Sequence, residues 1–129
     1  MEISNNGIVV LNRGDTFKTP LYIYSDNTAE FIEDLCKTKI SNLESTQTVY
    51  FGVIEPGYKF EDAIIRKEYN STDYDTTNQQ LMINLKPEDT EYLLPGRYYY
   101  EIKMETIENN GATRTVTTIT PKTIFFIVE

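Results

Sequence analysis

Runs of alternating apolar and polar residues dominate the chain. Phe17, Leu21 and Ile23 fall on one face of an extended strand, and Tyr22 and Tyr24 fall on the other. An alternation with period two predicts a β-strand with one face in a core. The same pattern predicts strands at residues 49–53, 81–85, 98–105 and 113–128, with shorter ones at 8–11 and 63–69, about seven in all.

Turn-forming residues separate these strands. Asn109-Asn110-Gly111 lies between two long alternating runs and predicts a β-hairpin. Glu55-Pro56-Gly57 ends another strand, because Pro fixes φ and Gly permits positive φ. Pro121 is expected to interrupt the last segment, leaving a final strand with Ile124, Phe126 and Val128 on one side. Short strands with recurring turns predict an all-β fold, an antiparallel β-sandwich that forms a single domain over residues 1–129.

Two segments depart from the β pattern. Between Thr28 and Ile40 the apolar residues Phe31, Ile32, Leu35, Cys36 and Ile40 have helical spacing. This spacing predicts one short helical insertion, with an irregular loop as the alternative. Residues 87–92 begin with Pro and continue with acids, which favours one turn of helix between consecutive strands.

Composition excludes several kinds of chemistry. The chain has no His and a single Cys, Cys36, so imidazole catalysis, His-ligated metals and internal disulfides are impossible. Its net charge of −8 opposes binding to nucleic acids and to anionic membranes. No apolar run reaches the ~20 residues of a membrane span, and residues 1–7 have no signal-peptide character. We therefore expect a protein that is not an enzyme, with no catalytic residues, no metal and no cofactor.

Two groups of acids are candidates for cation or substrate binding. Asp73-Tyr74-Asp75 and Glu61-Asp62 lack the ordered spacing and the glycine of known calcium loops, which favours solvated acidic loops. Glycoside hydrolysis requires two facing carboxylates in a cleft. Nothing in the sequence marks such a pair among the twenty acids.

Tyrosine is unusually abundant, at ten residues. Alternation directs Tyr22, Tyr24 and Tyr99 away from the core, where aromatic side chains favour a protein interface. Cross-strand pairing that stabilises the sheet is an equal alternative, and sugar stacking is a third. Tyr98 follows the expected crossing between sheets, where its hydroxyl is expected to bond to upstream backbone as a tyrosine corner.

The order of several motifs resembles a known family. Arg13-Gly14-Asp15-Thr16-Phe17 leads into a strand, Leu85-Lys86-Pro87-Glu88-Asp89-Thr90 precedes Leu94-Pro95-Gly96-Arg97-Tyr98, and residues 123–128 form a terminal strand. This order resembles the immunoglobulin-like N-terminal domain of phage baseplate upper proteins and small virion proteins of tailed phages. The resemblance covers most of the chain from Arg13 onward. The Arg-Gly-Asp triplet itself is adequately explained as a turn, so we do not interpret it as an integrin motif.

The resemblance implies a non-enzymatic building block of a virion, made in the cytoplasm of a bacterial host. Baseplate upper proteins continue into a segment that carries receptor-binding proteins, whereas this sequence stops at Glu129. We therefore expect an accessory module in multiple symmetric copies, which decorates the capsid or supports a head fibre. Its expected partners are capsid, neck or baseplate subunits, with neither nucleic acid nor membrane among them. A baseplate module and a carbohydrate-binding or adhesin module are the alternatives.

Overall fold

Two β-sheets packed face to face form the fold in the computed structural model, which describes all 129 residues. The larger sheet has six strands in the order β1-β2-β10-β9-β5-β6, and the smaller sheet has four in the order β4-β3-β8-β7. The strands are β1 (Glu2–Ile3), β2 (Val9–Asn12), β3 (Phe17–Ile23), β4 (Ala29–Glu30), β5 (Gln47–Ile54), β6 (Ile65–Tyr69), β7 (Tyr74–Asp75), β8 (Gln80–Leu85), β9 (Gly96–Glu108) and β10 (Thr113–Val128).

This architecture confirms the predicted all-β sandwich. The seven predicted strands correspond to β2, β3, β5, β6, β8, β9 and β10, and the three additional strands have two residues each. The order β3-β8-β7 in one sheet and β6-β5-β9-β10 in the other matches that of immunoglobulin-like sandwiches. One pair departs from the antiparallel prediction, because β2 runs parallel to β10.

The core lies between the sheets and follows the predicted alternation. On β3 the side chains of Phe17, Thr19, Leu21 and Ile23 are buried, and Lys18 between them is exposed. The same alternation fills the core from the other strands. Buried residues that follow this alternation on the other long strands include Val49, Phe51 and Val53 on β5, Leu81, Ile83 and Leu85 on β8, Tyr98, Tyr100, Ile102 and Met104 on β9, and Phe125 and Ile127 on β10.

The connection between β8 and β9 confirms two predictions. Pro87–Thr90 forms α1, a single helical turn that begins with Pro, and Thr90 Oγ1 accepts a hydrogen bond from the Gly14 N–H at 2.9 Å. At the start of β9 the Tyr98 hydroxyl donates to the Leu94 carbonyl at 2.7 Å. This contact is the predicted tyrosine corner, and it fixes the crossing from the smaller to the larger sheet.

The predicted helix between Thr28 and Ile40 is wrong. Residues 29–30 form β4, and the rest of the segment is a loop that lies along the end of β3. Ser25 N–H donates to the Thr38 carbonyl, and Ile40 N–H donates to the Ile23 carbonyl. These bonds give backbone groups of the loop partners on the neighbouring segment. A short helix is only marginally stable in water by itself, so the bonded loop is favoured.

The C-terminal hairpin forms as predicted. Asn109 and Asn110, both with positive φ, turn the chain from β9 into β10. Pro121 does not end β10, which instead shifts register between Thr118 and Thr120 and again between Thr120 and Thr123. Beyond these shifts Phe125 and Ile127 point into the core, and Ile124, Phe126 and Val128 point outward.

The helical segments are short. Besides α1 there are three 3₁₀ turns, at Phe60–Asp62, Ser71–Asp73 and Asn109–Gly111. None of them has the length and apolar character that crossing a bilayer requires.

Two core tyrosines predict how stability changes at high pH. Burial raises the pKa of Tyr74 and of Tyr100 to about 12 from an ordinary value of 10.0. As pH rises, the unfolded chain loses these protons before the folded chain does. The free energy of unfolding therefore keeps its full contribution from these tyrosines below about pH 10 and falls as pH rises towards 12. Urea unfolding at pH 8, 10 and 11.5 measures this loss, and the double variant Tyr74→Phe/Tyr100→Phe is expected to show a shallower decline. Equal declines in the variant and the parent protein would contradict this assignment.

Candidate functional site

The three tyrosines predicted to form an interface lie in different environments. Tyr22 is half-buried on the outer face of the smaller sheet, where it pairs with Glu30 of β4. Tyr99 is half-buried on the outer face of the larger sheet, between the core residues Tyr98 and Tyr100. The sandwich therefore separates Tyr22 from Tyr99, so they cannot contact the same flat partner surface.

The outward placement predicted for Tyr24 is wrong. This side chain is only 1% exposed, because β3 ends at Ile23 and the alternation ends with it. The Asp34 N–H donates to the Tyr24 hydroxyl at 2.7 Å, and the Lys37 ammonium lies 5.2 Å from the ring centre. Burial raises the pKa of Tyr24. Its role is to anchor the loop between β4 and β5.

Tyr99 belongs to an apolar patch on the larger sheet. Ile124 lies directly beside Tyr99 on β10, and Phe126 lies beside Val10 on β2. All four side chains are half-buried, and their inward-facing neighbours Val9, Leu11, Phe125 and Ile127 are buried in the core. We call Val10, Tyr99, Ile124 and Phe126 the apolar patch.

A lysine holds the tyrosine of this patch in place. The Lys122 ammonium lies 5.8 Å from the centre of the Tyr99 ring and donates a hydrogen bond to the Tyr58 carbonyl at 3.1 Å. The contact orders Tyr99 before any partner binds, which reduces the entropy lost on association.

A second group on the same face combines cations with aromatic rings. The Arg66 guanidinium lies 5.2 Å from the ring centres of both Tyr50 and Phe60, and the Lys103 ammonium lies 5.4 Å from that of Phe60. We call these four residues the basic–aromatic cluster. It borders a cavity of about 250 Å³.

Gly52 explains why the larger sheet can hold this cluster. A Cβ at Gly52 would lie 2.7 Å from Phe60 Cε2, so only glycine lets the ring approach β5 this closely. Next to the cluster the residue Glu105 is only 8% exposed, and its carboxylate accepts a hydrogen bond from Arg114. Burial and the nearby Glu105 charge together raise the pKa of the Tyr50 hydroxyl.

A mixed polar cavity of about 260 Å³ opens between β4 and β10. Lys37 and Glu30 line it, together with the turn at residues 5–7 and the Tyr100 ring. The Tyr100 hydroxyl donates to the Gly7 carbonyl at 2.6 Å, which ties the N-terminal turn to β9. Glu30 is the only carboxylate in the lining, whereas glycoside hydrolysis uses two.

The acids considered as cation ligands form local turns. The Asp73 carboxylate accepts from the Asn70 N–H, and the Asp75 carboxylate accepts from the N–H groups of Thr77 and Asn78. No group of three or more acidic or Cys side chains is arranged to hold a metal ion.

Comparison with known proteins leaves the geometry as the main basis for inference. No family model, no curated protein and no solved structure matches the chain. Function is therefore inferred from the contacts of the chain's own residues.

Sequence reasoning missed most of the apolar patch and the basic–aromatic cluster. The pair Phe125-Phe126 contains a usable signal, because consecutive residues of a strand face opposite sides and one ring must point outward. Phe60 lies in a turn outside any alternating run, so periodicity gives no indication of its position on the sheet.

The contact between Tyr24 and Asp34 generates a prediction. Tyr24→Phe removes the acceptor for the Asp34 N–H, so amide exchange in the loop at residues 31–40 is expected to accelerate about fivefold, the equivalent of a net hydrogen bond of ~1 kcal/mol. Hydrogen–deuterium exchange measures this rate, and Tyr22→Phe serves as the matched control. Unchanged exchange in Tyr24→Phe would show that the loop is held by its other contacts.

Proposed function

We propose that this chain is a small non-enzymatic module that docks on a larger protein assembly through the outer face of its larger sheet. The observation that carries the proposal is the apolar patch. Its four side chains come from three adjacent strands, β2, β10 and β9, and lie side by side on a continuous sheet surface. Aromatic and aliphatic groups that share an outward-facing sheet surface in this way are typical of interaction sites.

The surroundings of the patch fit a protein interface. Arg97 lies opposite Phe126, and the Lys122 ammonium lies 5.8 Å from the centre of the Tyr99 ring. Charged side chains therefore border the apolar centre. Interfaces commonly combine such a centre with a polar rim that excludes water from it. Tyrosine and phenylalanine contribute a large contact area with little loss of rotamer entropy.

The outer face of the smaller sheet is a weaker candidate. Lys18 lies opposite Asn84 there, and both are exposed polar residues. The Lys39 ammonium lies 5.5 Å from the Tyr22 ring and is itself paired with Glu33 at 2.6 Å. The loop between β4 and β5 therefore supplies partners for Tyr22 within the chain.

The assembly we propose is a phage virion, with the chain as an accessory module of the capsid or a head-fibre platform. The resemblance of its motif order to virion domains supports this choice, and a place in the baseplate or tail is the alternative. The net charge of −8 is compatible with the same use, because it keeps the free protein soluble before it assembles.

The carbohydrate-binding alternative has less support from the geometry. Sugars stack on open aromatic faces, whereas Arg66 and Lys103 lie over the rings of the basic–aromatic cluster. Phe60 is only 6% exposed. The cluster therefore offers little free ring surface to a sugar.

The two tyrosines on opposite faces provide a matched test. Purified chain is added back to virions produced without it, and binding is measured by co-sedimentation. Tyr99→Ser is expected to weaken binding at least tenfold, since removal of an aromatic anchor typically costs ~2 kcal/mol or more. Tyr22→Ser is expected to bind as the parent protein does.

The reverse result, with Tyr22→Ser impaired and Tyr99→Ser unaffected, would contradict the proposal and show that the docking surface is on the smaller sheet. Failure of the parent chain to bind virions would reject the virion assignment. Thermal unfolding of both variants provides the control for folding.

A further inference from the structure

Half of β10 has an unpaired edge. Residues Thr113–Thr118 pair with Lys103–Glu108 of β9 on one side. On the other side the neighbouring strand β2 pairs only with Phe125–Val128. Six residues of β10, a length of ~20 Å, therefore have no strand beside them.

The backbone along this edge is available for bonding. In an antiparallel ladder every second residue directs both its N–H and its C=O away from the paired strand. None of the backbone hydrogen bonds formed outside the sheets involves Thr113–Thr118. Five of the six side chains are exposed, and Thr117 is half-buried.

The outermost strands of the two sheets are short or charged. β6 is an edge strand of five residues, of which Arg66, Lys67 and Glu68 are charged. β1, β4 and β7 have two residues each. The free half of β10, by contrast, contains only threonine, valine and one arginine, a composition with high β propensity and little charge.

We propose that two copies of the chain pair antiparallel through this edge, with Val116 on the two-fold axis. Arg114, Val116 and Thr118 point to the outer face of the larger sheet, because Val116 pairs with the outward-facing Glu105 on β9. The pairing joins the two larger sheets into one sheet of twelve strands, twice the six of a single copy. It is independent of the docking proposed for the apolar patch.

The side chains of this edge are complementary to a second copy of themselves. With Val116 on the axis, each Val116, 44% exposed in the single chain, gains an apolar neighbour. Arg114 then lies opposite Thr118 of the partner subunit, so no two like charges face each other. Arg114 keeps its own carboxylate partner, Glu105.

Other registers are less favourable. Moving the axis to Thr115 sets Arg114 against Val116, and moving it to Arg114 sets two guanidinium groups opposite each other. A two-fold pairing uses this edge of both copies at once, so the assembly closes as a dimer.

Sedimentation equilibrium over a range of concentrations tests the proposal with the whole chain. The parent protein is expected to approach twice the 15.0 kDa of one chain as its concentration rises. Val116→Lys and Val116→Glu each set like charges on the axis and are expected to weaken the dimer at least tenfold. An equimolar mixture of the two variants is expected to restore it, since lysine then faces glutamate.

Two variants serve as controls. Val116→Thr keeps a β-branched residue on the strand and is expected to retain the dimer. Thr76→Lys adds one positive charge in an exposed turn between β7 and β8 and is expected to behave as the parent protein does. Circular dichroism of every variant checks that the sandwich has folded.

A parent protein that stays at 15.0 kDa throughout would overturn the proposal. A Val116→Lys dimer as stable as that of the parent would do the same, as would a mixture that stays monomeric. Hydrogen exchange provides a test without mutation. Amides within residues 113–118 are expected to exchange more slowly as the parent protein is concentrated, and rates independent of concentration would overturn the pairing.

Discussion

Five aromatic rings meet between the two sheets, and the rest of the structure is arranged around their contact. Phe17 comes from the smaller sheet, Phe51, Tyr100 and Phe125 come from the larger sheet, and Phe31 comes from the loop after β4. Neighbouring ring centres lie 5.3 to 6.4 Å apart, the separation at which aromatic pairs attract. In antibody domains a disulfide joins the sheets, and its second cysteine lies two residues after the corner tyrosine. Here Tyr98 is the corner tyrosine, and Tyr100 occupies that cysteine position.

The abundance of tyrosine follows largely from this sandwich design. The hydroxyls of Tyr74, Tyr98 and Tyr100 donate to backbone carbonyls of connecting segments, and those of Tyr24 and Tyr69 accept from backbone N–H groups. A tyrosine can bury its ring in the core while its hydroxyl satisfies a loop at the rim. Four of the ten tyrosines therefore fasten connections to the sandwich, and Tyr69 joins β6 to β8. Tyr99 differs from them, because its ring faces outward beside Ile124.

The sequence was sufficient to predict the strands, and it failed where distant contacts decide the structure. Alternation located the core faces of β3, β5, β8 and β9, because burial of one sheet face imposes a period of two. The spacing of Phe31, Leu35 and Cys36 resembles a helix, yet Leu35 is 86% exposed and only Phe31 of the three enters the core. The apolar patch depends on the register of β2, β10 and β9, which brings together residues more than a hundred positions apart. No local pattern contains that register.

In the proposed function, the ring contact fixes a rigid sandwich whose docking surface is the outer face of the larger sheet. Hydroxyl-radical footprinting of the chain, free and bound on virions, tests this claim most directly, because it measures the exposure of individual side chains. We expect Tyr99, Ile124 and Phe126 to become protected on the particle, with Tyr22 and Met82 on the opposite face unchanged. Protection of Tyr22 and Met82 instead, or of neither face, would contradict it.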